Sequence, residues 1–313
     1  MAEQRHDARA LVVGESLVDL TRRPDGTESV RAGGSPLNIA VGLSRLEVTT
    51  TLASQVGDDE YGELLRGHVD ASDVDLRSLP PHHGETATAV AEIDAAGVAT
   101  YGFELEWDPS ELPTPDGFDL VHVGSIGAVL PPGADAIAAL AADVHARGIA
   151  VSIDPNVRPA ITPDLDEVRR RFAAVAGLAQ VCKLSDEDAR VLYPGASPDS
   201  VAEQILALGP VRLVALTLGD AGSMLASAGA VVRVPAVRTT VVDTIGAGDS
   251  YMAALLAGLA HQGWLSRATY TEEELSWLGE AAGAAAALTC SRAGADPPYL
   301  RELPHLDAIY TRQ

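Results

Sequence analysis

The chain has 313 residues, 47% hydrophobic and 21% charged, which suits one large globular domain or two smaller ones. Its 22 basic residues against 44 acidic ones leave a net charge of −22, so nucleic acid and anionic membranes are repelled as partners at long range. Two cysteines, Cys182 and Cys290, are too few for a disulfide framework and read as small buried apolar residues in a reducing compartment. Met1 to Ala10 lacks the apolar core of a signal peptide, and no window reaches the roughly 18 apolar residues of a membrane span, so the expected location is the cytoplasm.

In chain order, Leu11 to Val13 read as a buried strand, after which Asp19 faces either solvent or a site at the strand's end. Pro24-Asp25-Gly26 is a turn signal and predicts a hairpin over 21–30. Gly33 and Gly34 then precede a helix whose apolar residues recur at helical spacing. The two glycines let backbone approach a ligand, and Asn38 in the first turn offers both a donor and an acceptor. The alternative is a plain glycine turn with Ser35 as the helix cap. Thr50 to Val56 form a strand, and Gly57 to Gly62 open a helix whose acidic residues suit the dipole at its first turn.

Thr86 to Ile93 and Ala99 to Leu105 flank the turn Ala95-Ala96-Gly97 and predict a second hairpin. With 20–31 it makes a small sheet set apart from the main fold. Tyr101 and Phe103, two residues apart, share one strand face, either as pocket walls or as packing. From Phe118 onward short apolar runs alternate with helical stretches. The runs are Leu120 to Val123, Ile149 to Ile153, Val181 to Leu184, Leu213 to Thr217 and Val231 to Val234, with helices over 134–146 and 201–208. This describes an α/β fold with a parallel sheet covered on both faces, in which ligands bind at the carboxyl ends of the strands. The economical domain reading is one domain over 1–313, with lid strands at about 17–34 and 86–106 inserted in it.

Val241 and Val242 read as a strand end, Gly246 and Gly248 as a glycine turn, and Tyr251 to Leu259 as a helix. The first N–H groups of such a helix are unpaired and face outward, a site for an anion such as phosphate. Asp249 at its mouth is either a helix cap or a base that takes a proton from a hydroxyl held near the phosphate.

Two segments, Gly33 to Gly62 and Asp243 to Leu259, resemble the two signature regions of the ribokinase-like (PfkB) carbohydrate kinases. The first matches in its paired glycines, Pro36-Leu37-Asn38-Ile39-Ala40 and Gly57 to Gly62; the second matches Asp-Thr-x-Gly-Ala-Gly-Asp with Ile245 at the variable place. The resemblance runs from Val12 to about Pro297. It implies a three-layer α/β/α fold with a mostly parallel sheet and a small β-strand lid. By it Asp249 resembles the catalytic base, and Gly246, Ala247 and Gly248 the anion hole for the transferred phosphoryl group. Asp19, Gly33, Gly34 and Asn38 match sugar-hydroxyl positions. Thr217, Gly219, Gly222 and Gly294 match turns around the nucleotide, with ATP and Mg²⁺ as expected cofactors. A monovalent cation such as K⁺ beside Asp243 and the turn Ser291 to Gly294 is a further family feature.

One departure is that Ser185-Asp186-Glu187-Asp188 stands where many members carry Asn-x-x-Glu. Ser185 and Asp188 still offer oxygen to hydrated Mg²⁺ and phosphate. Lys183, the only lysine, lies either near the nucleotide phosphates or as a strand-end lysine reaching to solvent. Asp154-Pro155-Asn156-Val157-Arg158 resembles a motif of fructokinases and 2-keto-3-deoxygluconate kinases, where Arg158 would contact a substrate carboxylate, a nucleotide phosphate or sugar oxygens, unless it forms a structural ion pair. The expected function is ATP-dependent phosphorylation of a primary sugar hydroxyl. Fructose comes first, 2-keto-3-deoxygluconate second, and ribose or a nucleoside third. The alternative outside enzymes is a sugar- or nucleotide-binding regulator without turnover. Partners are the sugar and ATP, and the lid strands are candidate surfaces for a homodimer.

Overall fold

Strand β1 (Arg9–Val13) shows how the layers form. Ala10 and Val12 point into one apolar cluster, while Leu11 and Val13 point into a second, so this strand is buried on both faces. The computed structural model describes residues 7–94, 99–304 and 306. The expected turn at Ala95-Ala96-Gly97 and the side chain of Tyr101 lie outside the described residues.

After β1 come β2 (Leu17–Arg22), β3 (Glu28–Gly33), helix α1 (Ser35–Arg45), β4 (Thr49–Gln55), α2 (Glu60–Asp70) and β5 (Asp75–Leu79). Strands β6 (Thr88–Ile93), β7 (Ala99–Glu104) and β8 (Leu120–Gly124) follow, then α3 (Gly133–Ala146), β9 (Ala150–Asp154), α4 (Leu165–Ala176) and β10 (Val181–Ser185). The chain continues through α5 (Asp186–Leu192), α6 (Pro198–Leu206), β11 (Leu213–Thr217), β12 (Ser223–Ser227), β13 (Ala230–Val234), α7 (Ala247–His261) and α8 (Glu272–Cys290).

Nine strands form the main sheet in the order β13-β12-β11-β10-β9-β8-β1-β4-β5. Seven of them, β5 through β11 in that order, run parallel, and β12 and β13 are an antiparallel extension at one edge. Helices α1, α2, α7 and α8 pack on one face, and α3 to α6 on the other. The fold is the expected three-layer α/β/α arrangement. Each Leu, Ile or Val side chain fully buried in these two clusters contributes roughly 1.5–3 kcal/mol.

The second sheet, β3-β2-β6-β7, is built from the strands expected as a lid and is called the lid sheet below. Both expected hairpins are present in it, and β2 joins them by a parallel pairing with β6. Register places Arg31, Asp19, Ala89 and Phe103 in one row across the four strands. Directly paired residues share a sheet face, so these four side chains project together. Val18 and Leu20 alternate to the opposite, buried face.

Val241 and Val242 do not end a strand. Both are 61% exposed, and the backbone N–H groups of Val242 and Asp243 donate to Cys290 O at the end of α8. Their β-propensity finds no neighbouring strand, so it has no effect. Cys182 is buried as expected, whereas Cys290 is only partly covered. Among the described residues no helix is long and apolar enough to cross a membrane.

Candidate active site

Helix α7 begins at a glycine because no other residue fits there. Gly246, its N-cap, has φ 75°, and a Cβ on it would stand 2.5 Å from the Cβ of Ala295. The N–H of Ala247 makes a long bond of 3.3 Å to Thr244 O, and those of Gly248 and Asp249 have no partner among the described residues. The helix therefore presents unpaired donors at its positive end.

Asp249 is not a cap. Its Oδ1 accepts from Ser35 Oγ at 2.6 Å and its Oδ2 from Asn38 Nδ2 at 2.8 Å, both across more than 200 residues of sequence. Ser35 likewise does not cap α1, whose N-cap is Gly34 without a side-chain bond. The approach of the two helices makes this possible. A Cβ on Gly42 of α1 would stand 2.6 Å from Ala253 Cβ of α7, so the helices touch almost backbone to backbone. Asp19 closes the group from the lid: a Cβ on Gly33 would lie 2.2 Å from its Oδ2. Burial, and then the negative charge of Asp249, push the Asp19 carboxyl up to about 6. Asn38 Oδ1 is buried without a hydrogen-bond partner and keeps its acceptor capacity.

Beneath the helix mouth is a buried cation. Lys183 is 4% exposed, and its Nζ donates to Asp154 Oδ2 at 2.7 Å, so it does not reach to solvent from the strand end. That Nζ would stand 3.0 Å from a Cβ on Gly248, directly under the turn. Burial alone would lower the lysine's pKa, but the carboxylates of Asp154, Asp188 and Asp249 outweigh it and hold the ammonium above its ordinary range. Asp154, wholly buried, is pushed up to about 6 by desolvation, against the pull of Lys183. His122 on β8 stays neutral, pushed down to about 3 by burial and by the Lys183 charge, and shares a 2.9 Å hydrogen bond with Ser152. Glu15, at the end of β1, is pushed up to about 7 by burial, and its Oε2 accepts from Gly127 N at 2.8 Å.

The loops beside the mouth are tied together by Asp243. Its Oδ1 accepts from Ile245 N at 3.1 Å and its Oδ2 from Gly294 N at 2.9 Å. This leaves Val241, Val242 and Ile245 as an exposed apolar strip next to the helix N-terminus. Thr217 sits at the end of β11 beside Ser185, and Gly219 and Gly222 form the turn that follows.

Other expected residues are placed differently. Asp188 is 3% exposed and its carboxylate is taken up by the fold: Oδ1 accepts from Val157 N, and Oδ2 accepts from the N and Oγ of Ser185 in a capping box at α5. Both oxygens expected to face a metal therefore already accept protein hydrogen bonds. No group of three or more His, Cys, Asp or Glu suited to a metal occurs among the described residues. Arg158 makes no ion pair to a described residue; its guanidinium donates to Asn156 O and Val157 O of its own loop and to none of the Asp249 group above. Phe103 is 36% exposed on the same lid face as Asp19, two strands away, roughly 10 Å across the sheet. Two surface hollows of about 560 and 480 Å³ lie elsewhere, one beside Arg267 to Glu274 and one beside Ala8, Asp119 and His145.

Asp154 and Ser35, which local sequence pattern does not single out as site residues, join the group only through these contacts. A lone lysine on one strand and an aspartate ending the adjacent one were the available signal for the buried pair.

A family model described as pfkB family carbohydrate kinase matches residues 7–302. A fructokinase of Klebsiella pneumoniae is 32% identical over 261 residues, covering 80% of this chain and 84% of its own. An uncharacterised sugar kinase from Pyrococcus horikoshii, solved in complex with ATP, superposes with a TM-score of 0.79 at 26% identity over 96% of this chain and 99% of its own. A fructokinase from Vibrio cholerae, solved with fructose, ADP and calcium ion, does so with a TM-score of 0.78 at 25% identity, covering 97% and 98%.

Proposed function

Since this chain belongs to the pfkB family of carbohydrate kinases, we propose that it transfers the γ-phosphoryl group of ATP to a primary hydroxyl of a small neutral sugar, fructose first. The observation that carries this reading is the carboxylate of Asp249, held by Ser35 and Asn38 at the open N-terminus of α7. The Gly248 and Asp249 N–H groups receive the phosphoryl oxygens, with the Lys183 charge beneath them. Asp249 takes the proton of the sugar hydroxyl as its oxygen attacks phosphorus and the bond to the ADP oxygen breaks. Asp19 and Asn38 Oδ1 remain to pair with further sugar hydroxyls, since a buried hydroxyl without a partner costs affinity. Val241, Val242 and Ile245 offer apolar cover to the nucleotide base.

Mg²⁺ fits this site as a companion of the ATP phosphates and water, because no dedicated cluster of protein ligands exists among the described residues. It would neutralise phosphate charge. A monovalent cation beside Asp243 fits less closely, as both carboxylate oxygens there already accept backbone N–H groups. The open outer strands β3 and β7 of the lid support pairing with a second copy.

Carboxylates crowd the sugar side. Asp19 and Asp249 would repel a substrate carboxylate, which favours a neutral sugar over 2-keto-3-deoxygluconate. The sugar acid is kept as the second reading by Arg158, whose guanidinium has no acidic partner. Sugar-dependent ADP release over fructose, ribose, 2-keto-3-deoxygluconate and adenosine decides between them. Turnover with fructose is expected; turnover confined to the sugar acid would replace the first reading with the second, and none with any acceptor would leave a binding protein.

A further inference from the structure

Phosphoryl transfer places several negative charges beside Asp19 and Asp249 in a protein of net charge −22. The lone lysine is already held by Asp154. A second cation reaches the same place from the lid. Arg31 pairs with Asp19 across β3 and β2, so the two side chains project from one face of the lid. Its guanidinium spans from the lid to the loop at the helix mouth. A Cβ on Gly294 would stand 2.5 Å from Arg31 Nη1 and 3.5 Å from its Cζ. The next residue, Ala295, packs directly on Gly246, the N-cap of α7. Arg31, Gly294, Ala295 and Gly246 thus form one continuous stack from the lid to the anion site.

Arg31 makes no hydrogen bond or ion pair with any described residue. Other exposed arginines do so: Arg22 pairs with Glu28, Arg147 with Asp116 and Asp143, and Arg170 with Glu167. A guanidinium carries five N–H donors in a fork that matches the oxygens of a phosphoryl group. None of them is hydrogen-bonded to a described residue; against burial, which raises the Asp243 carboxyl, backbone N–H groups and then the guanidinium charge hold it below its usual range.

We propose that Arg31 is a catalytic residue, supplied by the lid, which binds the γ-phosphoryl of ATP on the side opposite the Gly248 and Asp249 N–H groups. It stabilises the charge on the phosphoryl oxygens while the bond to the ADP oxygen breaks and the bond to the sugar oxygen forms, the sugar proton passing to Asp249. Because Asp19 is on the adjacent strand, the sheet that binds sugar also carries the phosphoryl clamp, so acceptor binding and charge compensation occur on one rigid element. Gly294 has a stated part in this: a methyl group there would displace the guanidinium.

The assignment rests on the kinase reading, and the test separates the two. Arg31→Met, Arg31→Lys and Gly294→Ala are compared with the unaltered protein in sugar-dependent ADP release and in calorimetric titration with ADP and with a non-hydrolysable ATP analogue. Arg31→Met is expected to lower kcat about a thousandfold, the lower end for an arginine that stabilises the transferring phosphoryl, with the sugar KM little changed. Arg31→Lys recovers only part, since a point charge does not replace the fork. Gly294→Ala lowers kcat with Arg31 intact. The variant Arg31→Met binds ADP as the unaltered protein does but loses its preference for the ATP analogue, and its thermal midpoint is unchanged. A kcat within about threefold of the unaltered protein, or a retained preference for the analogue over ADP, overturns the proposal. If the unaltered protein releases no ADP with any sugar, the kinase reading falls, and the titrations alone still decide whether Arg31 binds the γ-phosphate.

Discussion

Replacing Asp249 with Asn tests the centre of the site with the least disturbance. The carboxylate accepts two hydrogen bonds, from Ser35 Oγ at 2.6 Å and Asn38 Nδ2 at 2.8 Å. An asparagine can turn its carbonyl oxygen to the Asn38 amide and its own NH₂ to Ser35, whose hydroxyl rotates from donor to acceptor. Both contacts survive in neutral form, so stability should change by no more than about 1 kcal/mol. The proton acceptor, by contrast, is gone. Loss of a positioned general base costs roughly 10²–10⁴ in rate, or about 3–5 kcal/mol of barrier. Losing the negative charge also removes one of the two influences that raise Asp19, so that carboxyl titrates lower in the variant. Steady-state ADP release at saturating sugar and ATP measures the first effect, and calorimetric titration with ATP tests whether the nucleotide still binds. Turnover within about tenfold of the unaltered protein would place the base elsewhere. Loss of ATP binding as well would make Asp249 a structural residue of the helix mouth.

Lys183→Met leaves Asp154 1% exposed with its Oδ1 already unpartnered, and should cost about 3–5 kcal/mol in urea denaturation. The double variant Lys183→Met, Asp154→Leu should regain most of this; a single variant as stable as the unaltered protein would refute the buried pair. Glu15 gives a pH signature. Its native value of about 7 lies above the ordinary 4.5, so between those values the native state holds a proton that the unfolded chain has released. Stability therefore falls as pH rises through that window, by about 3 kcal/mol from this group, and levels off above it. Glu15→Gln should reduce that fall between pH 5 and pH 8 in denaturant midpoints, leaving the part due to Asp19 and Asp154, and an unchanged slope would show that Glu15 does not contribute to it.

Local pattern carried much of the architecture. The alternation of apolar runs with helical stretches, the Pro24-Asp25-Gly26 turn and the glycines before α1 and α7 are short-range signals, each read within a few residues. They located β1, both lid hairpins, α1, α3 and α7. Two strands escaped. β12, Ser223 to Ser227, is buried along its whole length and shows no alternation, while β5, Asp75 to Leu79, is an exposed edge with little apolar character. At Val241 and Val242 the sequence favours a strand, but no partner strand lies beside them.

The chemistry-bearing residue types and the turn that orients them were legible in the chain. Asp249, Gly246, Gly248 and Asn38 stand out this way, and the structure brings them together at the start of α7. Their partners do not stand out. Ser35 turns from a helix cap into a ligand of Asp249 only because α1 packs on α7 at Gly42 and Ala253. Lys183 changes from a solvent-reaching side chain to a buried cation because β9 and β10 lie side by side and bring Asp154 to it. Arg31 reaches the helix mouth because the lid sheet lies over the loop that carries Gly294. Each of these contacts joins elements far apart in sequence, and burial in a shared low-dielectric interior sets its strength. Periodicity describes one element at a time; which elements meet is decided by packing.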